Sequence, residues 1–307
     1  MELAILSHIL ADFVFQTDSM AKNKIDPNKK ISLKAHRYHG LTVFFTGFLL
    51  LMLPCSPDIA LIYSLMIAIF HYIIDRIRSR FHSKIPRRQF IGFVIDQILH
   101  ISIILVLWLE FENTFGSYKT WLGNIIYGKF DYLLSGLTKE TVINSINVLI
   151  VYCFVCWGGA VIVNLTLNLL GINNEGGHVV SKEAIKESTI EANTSISLFP
   201  FKLPLKSKTD IAIKNKNTAL NAAKENDEER RNLVSKYIGI FERLIIITLV
   251  IKNSYQAIAF VFAAKSLARA NDLMKKSEEF TGYYLVGTLL STAVAILGGM
   301  LLLTVLI

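Results

Sequence analysis

Proline is scarce in this chain, at 6 of 307 residues, and cysteine is scarcer still, at 3. So few prolines leave long stretches without a helix breaker. Cys55 stands alone, whereas Cys153 and Cys156 form a CxxC inside an apolar run, with no second CxxC and no strand–helix–strand context. Redox and zinc-ribbon readings of that motif therefore fall away, and the two cysteines read as small packing residues in a membrane helix. The alternating ten-residue strands of a membrane barrel are absent. The first twenty residues lack a basic leading region and carry Glu2, His8, Asp12 and Asp18, so they do not read as a cleavable signal. No interleaved aromatic and arginine pattern suggests nucleic acid. The formal charge of +8 is assigned instead to membrane topology and lipid headgroups.

What the chain has is long apolar runs. Hydrophobic residues make up 52% and the mean hydropathy is +0.46. Backbone amides in lipid must be satisfied within the segment, and about 20 helical residues cross about 30 Å of hydrocarbon. The expectation is an all-α polytopic transmembrane helix bundle of seven to eight segments, near residues 2–20, 36–53, 58–76, 89–110, 142–171, 233–251, 254–269 and 282–307. Residues 1–171 form an N-terminal membrane bundle in this reading, and residues 233–307 form the C-terminal membrane helices. Residues 172–232, rich in Asn, Lys, Glu, Ser and Thr, read as a polar cytoplasmic linker that either stays flexible or docks a cytoplasmic protein.

Loop charge sets the orientation. The connection after the first segment holds Lys22, Lys24, Lys29, Lys30, Lys34 and Arg37, and the one after the third holds Arg76, Arg78, Arg80, Lys84, Arg87 and Arg88. Between them, Pro54 to Asp58 carries no positive charge. The positive-inside rule then places both basic loops in the cytoplasm and the termini outside.

Four polar signatures interrupt the apolar sequence: His8-x3-Asp12, His36-Arg37-Tyr38-His39, His71-x3-Asp75 and Asp96-x3-His100. An i, i+4 spacing puts imidazole and carboxylate on one helical face. Segments 1 and 3 run inward and segment 4 runs back, so reversing the order in segment 4 keeps every Asp nearer the cytoplasm. Counting along the helix puts Asp12 and Asp96 at depths of about 9–12 Å, with His8 and His100 at about 15–18 Å. Buried carboxylates cost at least about 2.5–3.5 kcal/mol each in lipid, so such clustering calls for compensation. The candidate metal ligands are His8, Asp12, His71, Asp75, Asp96 and His100, and His36 and Asp96 are the candidate catalytic residues. The cofactor would be a divalent metal ion, with zinc, manganese and magnesium left open. A structural network, each His donating to an Asp of a neighbouring helix, is the alternative. Gln16 and Gln97 flank the cluster as supporting donors. Arg37 and Arg76 either set topology or bind phosphate. Further along, Glu242 and Arg243 against Lys265 and Arg269 suggest interhelical ion pairs.

Residues His8 to Met20, Lys24, the His36 helix start, His71-x3-Asp75 and Asp96-Gln97-x2-His100 resemble a bacterial membrane family catalogued as domain of unknown function 3307. So do Gly239 to Arg243, Ala264 to Ser266 with Arg269, and Tyr284 to Ser291. This resemblance implies a membrane topology and no activity. A looser similarity runs to membrane-bound metal-dependent hydrolases, which carry HRxxTH and HxxxD elements; here the second His of the first element, His39, comes two positions early. Metal-dependent hydrolysis of a lipid or lipid-linked phosphate is the leading functional expectation, with membrane lipids as partners. A transporter or ion-binding permease and a membrane scaffold or sensor are the alternatives.

The orientation has a direct check. Alkaline phosphatase fused after Ser56 should be active and the same fusion after Ser83 inactive; the opposite pattern would invert the topology.

Overall fold

The computed structural model describes residues 1–115, 139–172, 233–275 and 278–306, and the expected polar linker thus lies, beyond Ile172, outside the described residues. Among the described residues every regular element is helical. Helix α1 spans Glu2–Ile9 and continues as a π-helical turn, Leu10–Val14. Then follow α2 (Asp18–Lys24), α3 (Lys29–Leu51), α4 (Pro57–Arg80) and α5 (Pro86–Phe115). Helix α6 (Lys139–Cys153) passes through a second π turn, Phe154–Gly158, into α7 (Gly159–Leu169). Residues 233–251 form α8, and α9 (Tyr255–Lys275) and α10 (Glu278–Leu306) complete the chain.

The helix boundaries follow local chemistry. Thr17 caps α2 by accepting from the Met20 amide, and Asn28 caps α3 by accepting from the Lys30 amide. Asn28 therefore starts α3 seven residues before the expected edge at His36, and the basic residues Lys29 to Arg37 lie on the helix. Pro57 and Pro86 open α4 and α5, where a missing amide hydrogen costs nothing. Gly171, at φ +71°, ends α7, and the Ile172 amide reaches back to the Leu167 carbonyl.

Among the described residues, four helices are long and apolar enough to cross a membrane: Pro57–Arg80, Pro86–Glu110, Glu140–Leu169 and Phe280–Thr304. The radial distribution of polarity agrees with a membrane protein. Phe45, Leu49, Ile98, Leu109 and Leu297 are exposed, while His8, His36, His39, His71, Asp75, Asp96 and His100 are buried. Polar groups inside and apolar groups outside are what lipid as the surrounding solvent selects.

Three apolar clusters tie the bundle together. Ala4, Ala11, Val43, Ala60, Tyr63, Ile67 and Ile104 join α1, α3, α4 and α5. Ile9, Phe13, Phe93 and Cys153 join the first helix to α5 and α6. Cys156, Ile240, Ile247, Val250, Ala295 and Leu302 join the second π turn to α8 and α10. The α6–α7 rod thus packs against both the N-terminal helices and the C-terminal ones. Both cysteines of the CxxC are buried free thiols within these contacts.

The C-terminal charges pair only in part as expected. Lys265 bonds to Glu242, and Arg269 lies over the Tyr284 ring at 5.7 Å. Arg243 instead donates from Nε and Nη2 to the Cys156 carbonyl, at 3.1 and 2.6 Å, and from Nη1 to Ser291 Oγ. That carbonyl belongs to the second π turn, whose wider winding leaves backbone acceptors open to such a donor. Close helix approach here depends on glycine. A Cβ on Gly298 would lie 2.5 Å from Val155 Cγ2, and one on Gly299 would lie 2.7 Å from Val250. Gly299→Val should therefore lower the melting temperature in detergent, by an overpacking penalty of about 1–3 kcal/mol. Gly92→Ala, where a Cβ meets nothing within 4 Å, should be neutral or stabilising.

Candidate metal centre

The polar signatures converge between α1, α3, α4 and α5. His8 sits near the end of α1, and Asp12 sits in the π turn that follows. The Phe15 amide bonds to the Leu10 carbonyl at 2.8 Å, closing the wide turn. A π turn carries more than four residues per revolution, so Asp12 is displaced from strict helical register. Its two oxygens face different neighbours as a result. Oδ1 lies 3.1 Å from His39 Nε2 and 3.2 Å from His71 Nε2, while Oδ2 lies 3.9 Å from His8 Nδ1.

The His39 and His71 Nε2 atoms are themselves 2.9 Å apart. Asp75 Oδ2 lies 3.6 Å from each of them. The Asp12 and Asp75 oxygens thus each lie close to the same pair of imidazole nitrogens. For ligands about 2.0–2.1 Å from a tetrahedral ion, neighbouring donor atoms are about 3.3–3.4 Å apart. These five separations run from 2.9 to 3.6 Å and bracket that value.

Hydrogen bonding alone accounts poorly for this arrangement. A neutral imidazole carries one N–H in the plane of its ring, and that hydrogen aims at one partner. Three atoms at the corners of a 3 Å triangle cannot be closed by linear hydrogen bonds. Two N–H groups both aimed at Asp12 would also face each other across 2.9 Å. Three donor atoms at such separations are a group that could hold a shared cation.

Charge balance points the same way. Asp75 Oδ2 accepts from Lys24 Nζ at 2.6 Å, and Asp96 Oδ2 accepts from Arg78 Nη1 at 2.9 Å. The ion-pair partners of Asp12 among the described residues are the imidazoles of His8, His39 and His71. A buried carboxylate without a cation is costly, so a positive charge belongs beside Asp12.

The surrounding residues take definite places. Gln97 donates from Nε2 to Asp96 Oδ2 and turns Oε1 toward His8 Nε2, at 3.3 Å. Gln16 accepts from Lys24 Nζ at 2.6 Å. Lys24 thereby joins α2 to α4 directly over the donor cluster, and Ser32 Oγ fastens the same turn by donating to the Lys24 carbonyl. His100 stacks on His71 with ring centroids 4.0 Å apart, and His8 lies 5.1 Å from His100.

Two of the expected site residues lie outside the grouped donor atoms. His36 does not enter the cluster: its Nδ1 lies 2.7 Å from the Ser32 carbonyl, and its Nε2 lies 3.0 Å from Ser79 Oγ. The residue from that signature which reaches the centre is His39. Asp96 is tied to Arg78 and Gln97, and it is absent from the three sets whose donor atoms lie within 4.8 Å of one another. Those sets are His8–Asp12–His100, Asp12–His39–His71 and His71–Asp75–His100. The ambiguity between His36 and His39 is intrinsic to sequence, since both are buried on one side of α3. Lys24 was legible only as a topology charge.

Residues 1–126 match the family described as "Protein of unknown function (DUF3307)". That stretch contains every residue of the cluster. The match ends before the C-terminal helices, and no comparison supports the looser likeness to hydrolases. No curated protein and no solved structure matches the chain.

The Lys24–Asp75 pair can be measured. Lys24→Met should destabilise by up to about 3–5 kcal/mol, because it leaves a buried carboxylate unpaired. Adding Asp75→Asn should recover much of that loss. Simple additivity in thermal or denaturant melts would show that the two groups are not coupled.

Proposed function

We propose that this is a membrane metalloprotein whose divalent cation, of the zinc class, performs hydrolysis near the cytoplasmic leaflet. The observation that carries the reading is the grouping of three donor atoms, on Asp12, His39 and His71, 2.9–3.2 Å apart, with Asp75 Oδ2 3.6 Å from both imidazoles.

Three of these donors are tightly grouped, at 2.9–3.2 Å, and Asp75 is the outlying fourth at 3.6 Å. Catalytic zinc sites keep three protein ligands and leave the fourth position to water or substrate. Asp75, held from outside by Lys24, is the ligand suited to release. Its carboxylate would then accept the proton of a water drawn to the open position. A bound divalent cation would supply Lewis acidity and bring the pKa of that water down to about 7.

A lipid or lipid-linked phosphate is the proposed substrate class. Two features support it. An apolar groove of about 520 Å³ runs along α3 beside the π turn, lined by Leu10, Phe15, Tyr38, Leu41, Phe45 and Leu49 among others, and suits a hydrocarbon chain. Arg37 and the Arg76 to Arg80 run stand at the same end of the bundle as the centre, where guanidinium would match phosphate oxygens. Past His71 and His100 the interior holds Ile67, Ile104 and Leu107, and the buried Ser7 and Ser64 hydroxyls there are each spent on a carbonyl of their own helix. That favours a centre open on one side over a through-path for transport.

The remaining architecture belongs to the same proposal. Seven to eight segments cross the bacterial inner membrane, with the basic loops and the 172–232 linker in the cytoplasm. The cluster then faces the cytoplasm and the groove faces lipid.

Elemental analysis of detergent-purified protein tests the centre. The wild type should retain zinc or another divalent metal through dialysis, and His39→Ala should lose it. His36→Ala should retain it, because that imidazole lies outside the cluster. A metal-free wild type would sink the reading. With metal present, phosphate release from phosphatidic acid or a polyprenyl phosphate in mixed micelles should fall on the order of 100-fold in Asp12→Asn.

A further inference from the structure

We infer that the centre is dinuclear: a second divalent cation sits between His8, His100 and Asp12, and the Asp12 carboxylate bridges the two ions. This rests on the metal reading above and extends it to imidazoles that the first ion leaves unused.

Gln97 sets the tautomer of His8. Its amide nitrogen donates to Asp96 Oδ2, which orients its oxygen toward His8 Nε2 at 3.3 Å. An amide oxygen only accepts, so His8 must carry its hydrogen on Nε2. In a neutral ring Nδ1 then presents a bare lone pair. That atom is buried, has no hydrogen-bond partner and lies 3.9 Å from Asp12 Oδ2. Two electron-rich atoms facing each other in an apolar interior repel unless a cation lies between them.

His100 has the same character. Its side chain is 2% exposed, Nδ1 lies 3.7 Å from Asp96 Oδ2, and neither ring nitrogen has a hydrogen-bond partner among the described residues. Its stacking on His71 uses the ring face and leaves the nitrogens free in the ring plane. Buried polar atoms are satisfied in the great majority of cases, so unpartnered imidazole nitrogens on two neighbouring helices require a ligand. Donor atoms of His8, Asp12 and His100 all lie within 4.8 Å of one another.

Asp12 links the two groups. One oxygen faces His39 and His71, and the other faces His8. A carboxylate with each oxygen turned to a different imidazole set has the form of a bridging ligand. Paired ions about 3.5–4 Å apart are common in enzymes that cleave phosphate esters, where they stabilise the attacking and leaving oxygens together. The π turn has a definite role in this arrangement, since it places Asp12 between the two sets.

The test uses full-length protein, stripped with a chelator and titrated with zinc, and separately with manganese. Wild type should bind two ions per chain. The His8→Gln, His100→Gln double variant should bind one, and His39→Ala should lose the first ion. Manganese-loaded wild type should give an exchange-coupled paramagnetic resonance signal that reverts to a single-ion hyperfine pattern in the double variant. One ion in both wild type and double variant, with uncoupled manganese, overturns the second site and leaves the first standing. No ion in wild type overturns both. The stoichiometry and signal of the wild type decide the matter even if the variants fail to fold.

Discussion

A carboxylate carried into an apolar helix bundle must meet positive charge, and the structure around Asp12 is organised by that requirement. Asp75 has Lys24 and Asp96 has Arg78, whereas Asp12 faces imidazoles. Imidazole supplies positive charge only by taking a proton or by sharing a metal ion with the carboxylate. The first option leaves His8 Nδ1 and both ring nitrogens of His100 without hydrogen-bond partners among the described residues. The second places those lone pairs where a cation needs them.

This requirement shapes the surrounding fold. The bundle reverses the usual radial order, with leucine, isoleucine and phenylalanine outward and histidine and aspartate inward. Helical regularity yields twice, once at Leu10–Val14 and once at Phe154–Gly158. The two π turns meet, with the Phe13 and Phe154 rings 5.7 Å apart. One presents Asp12 to the cluster, and the other presents the Cys156 carbonyl to Arg243. Local helix distortion thus serves a polar contact in each half of the protein.

Much of this was legible in the residues because helical spacing is rigid. His8 with Asp12, His71 with Asp75 and Asp96 with His100 each lie on one helix face, and in each pair nitrogen and oxygen approach to 3.6–3.9 Å. Other assignments turned on distances between helices, which spacing does not encode. His36 and His39 lie on one side of α3, yet His39 Nε2 reaches Asp12 and His71, whereas His36 Nε2 reaches Ser79 and the Asp75 carbonyl. Asp96 had the right spacing and the wrong neighbour, since Arg78 on α4 occupies its oxygen. Lys24 looked like one of many topology charges because its contact with Asp75 joins residues 51 positions apart.

The amino-acid sequence by itself determined the helical class, the apolar runs and the one-face pairing of imidazole with carboxylate. These follow from the 1.5 Å rise, the turn angle and the insolubility of bare amides in hydrocarbon. Tertiary structure alone decided which imidazoles share a carboxylate and which carboxylates already hold a lysine or an arginine. It also decided how far the π turn swings Asp12. Those outcomes depend on helix rotation and separation, where a shift of an ångström or two exchanges one partner for another.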